Sequence, residues 1–109
     1  MKLLKFRNYL IPLVLSGQKN STWRLFDEKK LSEGDNIELR EYYKEESFAK
    51  AKITKVIEKP FRELSDADKE GHEKFADDNE MYETFSSYYK TPVGHETIVK
   101  IIWFKLLEE

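Results

Sequence analysis

The stretch Ile98-Val99-Lys100-Ile101-Ile102-Trp103-Phe104 restricts the fold most, because it is apolar on both sides of an extended chain. Side chains alternate across a strand. Val99, Ile101 and Trp103 therefore face one way, and Ile98, Ile102 and Phe104 the other. A strand of this kind, predicted from Glu96 to Leu106, needs cover on both faces and belongs in the interior of a sheet. The 109 residues are expected to form a single domain, 1–109. A core that small must be built from large side chains, and two tryptophans, six tyrosines and seven phenylalanines supply them.

The other elements follow from periodicity and punctuation. Lys2 to Phe6 reads as a first strand. A short helix starts near Tyr9, with Pro12 in its first turn where a missing N–H is tolerated. Gly17 ends it, because glycine enters the left-handed C-cap conformation without steric cost. Asn36 to Tyr43 alternates as a half-buried strand, and Glu45-Glu46-Ser47 turns the chain into a partner strand from Phe48 to Glu58. Val56 and Ile57 fall out of step there, which predicts a bulge near Thr54. Ser65 and Asp68 have the spacing of a capping box for a helix that stops at Gly71. A second helix runs from Asp78 to Lys90, with Met81, Phe85 and Tyr88 or Tyr89 at helical spacing. Strands at both ends with helices between them give an α+β domain. Its centre is a small, mostly antiparallel β-barrel flanked by short helices.

Chemistry concentrates in Ser16-Gly17-Gln18-Lys19-Asn20-Ser21-Thr22-Trp23-Arg24. If Ser21 to Leu25 is a strand, Thr22 and Arg24 share a face and Lys19 reaches over it from the preceding turn. An amine, a hydroxyl and a guanidinium then meet at a helix-to-strand junction, able to hold an anion or to activate an oxygen nucleophile. The plain structural alternative has Lys19 neutralising the helix C-terminus and Thr22 and Arg24 on a solvated strand. Trp23 points the opposite way and reads as core. Tyr42 and Tyr43 adjoin a turn, where they serve either to pack or to stack on a base.

The pattern Gly17-x-Lys19-x-x-Thr22-x-Arg24 resembles the signature of the ASCH family. Most of that family carries glutamate in the sixth position. Threonine there is similar to the branch of small bacterial N4-acetylcytidine amidohydrolases. Gly34-Asp35 opening a strand and Glu70-Gly71-His72 after an acidic helix also resemble the family. The resemblance implies a PUA-like barrel whose cleft binds RNA or a modified pyrimidine nucleoside. In the enzymatic form Lys19 is the base, Thr22 the nucleophile and Glu70 the proton shuttle, with Glu73 the next choice of carboxylate. Lys19 can act as a base only if desolvation or the nearby Arg24 leaves some of its amine neutral. Gly17, Asn20 and Arg24 are the expected substrate- or phosphate-binding residues. In the non-catalytic alternative, a single-stranded RNA or nucleotide binding module, Lys19 and Arg24 hold phosphate. His72 stands where an aromatic residue is expected and reads as packing.

Composition narrows the alternatives. No cysteine and only His72 and His95 argue against disulfides, thiolate chemistry and a histidine zinc site, so no metal and no cofactor is expected. The N-terminal apolar run is broken by charge and lacks a small-residue cleavage site, which points to a cytoplasmic protein with no membrane partner. The first thirty residues are mainly basic and residues 63 to 83 mainly acidic. A polyanion would approach the first region and avoid the second, unless both are ordinary solvated faces. A monomer is the expected oligomeric state.

Overall fold

The doubly apolar stretch is an inner strand, with a different hydrophobic core on each of its faces. In the computed structural model, which describes residues 1–26, 29–72 and 74–107, five strands form one sheet. They are β1 (Lys2–Phe6), β2 (Ser21–Arg24), β3 (Asn36–Glu41), β4 (Ser47–Pro60) and β5 (Ile98–Leu106), in the order β1-β3-β4-β5-β2. β5 lies between β4 and β2 and is antiparallel to both, and β3 pairs antiparallel with β4. β1 runs parallel to β3. A parallel pair needs a long crossover, here the segment carrying α1 (Ile11–Leu15) and β2.

The sheet curls into a half-barrel with β1 and β2 as its edges. Its concave side holds Leu4, Phe6, Ile37, Leu39, Ala51, Ile53, Ile102 and Phe104, plugged by Leu10 and Val14 from the α1 region. The opposite face carries Trp23, Leu25, Val99 and Ile101. Phe61 and the helix α3 (Asp78–Tyr89) cover it through Met81 and Phe85. Between α3 and β4 lies the one-turn helix α2 (Asp66–Lys69).

Three local expectations are met. The β4–β5 register shifts between Ile53 and Lys55, so Thr54 is the bulge. Beyond it Val56 packs on the concave core and Ile57 on the α3 core. Ser65 and Asp68 form the capping box: Asp68 N donates to Ser65 Oγ at 3.2 Å and Ser65 N to Asp68 Oδ2 at 3.0 Å. Gly17, with φ +84°, turns the chain out of α1. The sheet does not close by a strand ladder between β1 and β2. Side chains bridge that gap instead: Arg24 Nη2 donates to Lys5 O at 3.0 Å and Lys29 Nζ to Leu3 O at 2.7 Å. Among the described residues no helix is long and apolar enough to cross a membrane.

Candidate functional site

Alternation along β2 sorts its residues between the two cores. Ser21 and Trp23 turn toward α3, while Thr22 pairs with Ile102 and shares the concave face with Arg24. The turn into the strand is fixed by Lys19 N donating to Leu13 O at 2.9 Å. This lays the Lys19 side chain inward, only 3% exposed, with Nζ donating to Ser21 O at 2.7 Å. Thr22 is 5% exposed. Arg24 Nε donates to Thr22 Oγ1 at 3.1 Å, and the guanidinium sits 5.3 Å from the centroid of the Phe6 ring. Because Oγ1 accepts from Arg24, its own proton is directed to another acceptor. Arg24 thus orients the hydroxyl while it joins β2 to the β1 edge.

These three side chains line one cleft of about 270 Å³ at the end of the half-barrel, together with Lys5, Arg7, Tyr42, Tyr88 and Tyr89. Trp23, His72 and Phe85 form its back wall. The Trp23 ring stacks on His72, centroids 4.0 Å apart and 19° from parallel. Lys5, Arg7, Lys19 and Arg24 give the cleft four cationic side chains, and no carboxylate lines it among the described residues. Lys5 is paired with Glu45, so Arg7, Lys19 and Arg24 carry the field that favours an anion, and the rings offer flat apolar surface. Among the described residues no group of three or more histidines and carboxylates is placed to hold a metal ion.

The structure separates the remaining sequence candidates from this cleft. Glu70 is exposed at the end of α2 and lines a second hollow of about 540 Å³, with Asp66, Asp77 and Asp78. Trp23 and His72 form the partition between the two hollows, since both line each of them. What Glu70 brings to β2 is its backbone carbonyl, which accepts from Ser21 Oγ at 3.4 Å and Trp103 Nε1 at 3.3 Å. Glu73 lies outside the described residues. Gly17 and Asn20 lie on the far flank of Lys19, along a shallow hollow beside Phe104. Asn20 Oδ1 rests against Gly71 so closely that a Cβ there would come within 1.8 Å of it.

Sequence reasoning missed Lys5, Arg7, Tyr88 and Tyr89 as site residues. Helical spacing assigns Tyr88 or Tyr89 to the core of α3, and Tyr89 does pack against it. Tyr88 is instead 41% exposed and hydrogen-bonds through its hydroxyl to that of Tyr9, at 2.8 Å. Tyr89 accepts from Leu25 N at 3.0 Å. Two adjacent tyrosines at a helix end, each with an apolar body and a polar tip, were the available signal.

No family model matches the sequence, and no curated protein matches it. Solved structures do share its architecture. A protein from Enterococcus faecalis V583, of family model DUF984, superposes with a TM-score of 0.79 at 19% identity, covering 97% of this chain and 79% of that one. An ASCH domain from Lactobacillus crispatus JV V101 gives 0.70 at 13% identity, over 96% and 79%. The S128A mutant of ZmASCH from Zymomonas mobilis gives 0.69 at 8% identity, over 94% and 66%. The fold is that of the ASCH domains, a PUA-like half-barrel.

Proposed function

We propose that the cleft of this ASCH fold receives one pyrimidine nucleoside unit, either free or as a residue of single-stranded RNA. The observation that carries this reading is the lining: four cationic side chains, flat aromatic walls and, among the described residues, no carboxylate. A base lies against the rings, and its phosphate or polarised carbonyl meets the cations. The volume is at the small end of ligand pockets, which suits one base with its sugar and excludes a duplex. The test is a calorimetric titration with cytidine monophosphate. Binding is expected for the wild type and weaker binding for Lys19→Ala. Equal affinity of the two proteins would remove the cleft from the account.

A second reading makes the same cleft an amidohydrolase for the N4-acyl group of acetylcytidine. It is favoured by the burial of an amine and a hydroxyl three residues apart that line the same cleft, with Arg24 donating to the hydroxyl oxygen. In this reaction Lys19, as the neutral amine, takes the Thr22 proton while Oγ1 adds to the acyl carbonyl. The C–N4 bond then breaks, N4 takes the proton back from the Lys19 ammonium, and cytidine leaves. Water, deprotonated by Lys19, adds to the threonine ester; the acyl C–Oγ1 bond breaks, Oγ1 takes the proton back from the Lys19 ammonium, and the carboxylic acid leaves. With Glu70 in the other hollow, Lys19 has to move both protons. Incubation with N4-acetylcytidine is expected to release cytidine. Absence of turnover by a protein that binds the nucleoside would leave the binding function alone.

A further inference from the structure

Tyr43, beside the cleft, is more open than the tyrosines that line it. Tyr43 is 71% exposed and Tyr42 46%, and the two stand edge to face with centroids 5.1 Å apart. Arg7 organises them. Its guanidinium carbon lies 4.7 Å from the centroid of Tyr42 and 5.0 Å from that of Tyr88, and Nη1 donates to the Tyr43 hydroxyl at 3.0 Å. A tyrosine tethered this way has given up part of its rotamer freedom before any ligand arrives, so less is lost on binding. An open, tethered ring beside a guanidinium is suited to stacking a nucleobase.

Position strengthens the case. The cleft has room for one nucleoside unit, so the next residue of a chain must lie outside it. Tyr42 lines the cleft and also contacts Tyr43, so the open ring begins where the cleft ends. Past His72 lies the hollow lined by Asp66, Glu70, Asp77 and Asp78 together with Lys69 and Lys74. Its four carboxylates outnumber its two lysines, so it is the less favourable side for phosphate. A strand leaving the cleft past Tyr42 meets the open ring of Tyr43.

We propose that Tyr43, backed by Tyr42 and Arg7, is a stacking site for the base adjacent to the one in the cleft, so that the ligand is a single-stranded polynucleotide rather than a free nucleoside. This rests on the nucleoside reading of the cleft given above. The test compares the ribotrinucleotide CpCpC with a strand of equal length whose two outer bases are replaced by abasic riboses. The phosphates are then the same and only the outer rings differ. The wild type is expected to bind the intact strand about 5- to 150-fold more tightly, the span of one base–aromatic stack. Tyr43→Ala, an exposed substitution outside the cleft lining, should bind both strands alike and leave the affinity for cytidine monophosphate unchanged. Tyr43→Phe should restore the preference, because the ring remains. Equal binding of the two strands by the wild type, or a preference that survives in Tyr43→Ala, overturns the stacking site. If Tyr43→Ala abolishes the preference while Lys19→Ala weakens neither strand, the stacking site stands and the cleft reading fails. A wild type that binds neither strand overturns both.

Discussion

Lys19 and Thr22 are expected to act as one unit if the cleft is catalytic, so their losses should not add. Thr22→Ala, Lys19→Ala and the double variant should retain similar residual rates on N4-acetylcytidine, about 10²–10⁴-fold below the wild type. Thr22→Ser keeps a hydroxyl and should keep much of the rate. Lys19→Arg should not, because a guanidinium stays protonated. Full activity in Thr22→Ala with none in Lys19→Ala would replace the covalent step by lysine-assisted attack of water. A different single position tests the wall behind the site. Gly71 has φ +81° and its amide neighbourhood is tied to β2, its carbonyl accepting from Asn20 N at 3.0 Å and Ser21 N at 3.2 Å. Gly71→Ala should cost about 1–2 kcal/mol from the left-handed backbone alone, plus the collision with Asn20. Adding Asn20→Ala should recover only the collision, which urea unfolding of the two variants measures. The shared face of Thr22 and Arg24 was legible because strand alternation gives it, and Lys19 beside them because it sits in the turn that opens the strand. Glu70 was not: the sequence shows a carboxylate at a helix end, but not that Trp23 and His72 stand between it and the cleft.

The capping of α2 makes stability depend on pH in a defined direction. Asp68 is held below the ordinary aspartate range first by its hydrogen bond from Lys59 Nζ, at 2.8 Å, and then by the Ser65 backbone amide. A carboxyl with a lowered folded pKa contributes stability that is complete above the unfolded value of about 4 and lost as pH falls through the folded value. Asp68→Ala should therefore be less stable than the wild type by about 1 kcal/mol at pH 7, the typical worth of a cap. The gap in urea midpoints should narrow below about pH 4, and a gap that stays constant to pH 2 would show that the charge plays no part. This box and the Thr54 bulge could be read from the sequence because both are set by neighbours within a few positions. The parallel β1–β3 pair could not, since its register depends on a crossover of about thirty residues that leaves no local periodicity.

Charge over the whole molecule predicts how any nucleic acid is held. Four cationic side chains line the cleft, where Arg24 and Lys19 already donate to backbone carbonyls. The neighbouring hollow is acidic. Only a few phosphates can be neutralised, so log affinity for a short ribo-oligonucleotide should fall with log salt at a slope on the order of −1 to −3. A steeper slope would show that cations beyond the cleft take part in binding. The side chains that span the gap between β1 and β2 have a separate consequence, for self-association. An open sheet edge is a template on which a second chain can add a strand and seed aggregation. On β1 the carbonyls of Leu3 and Lys5 are already taken by the charged ends of Lys29 and Arg24. An intruding strand would have to displace two charged groups to complete its ladder with these residues, so the same arginine that orients Thr22 also guards the edge against aggregation.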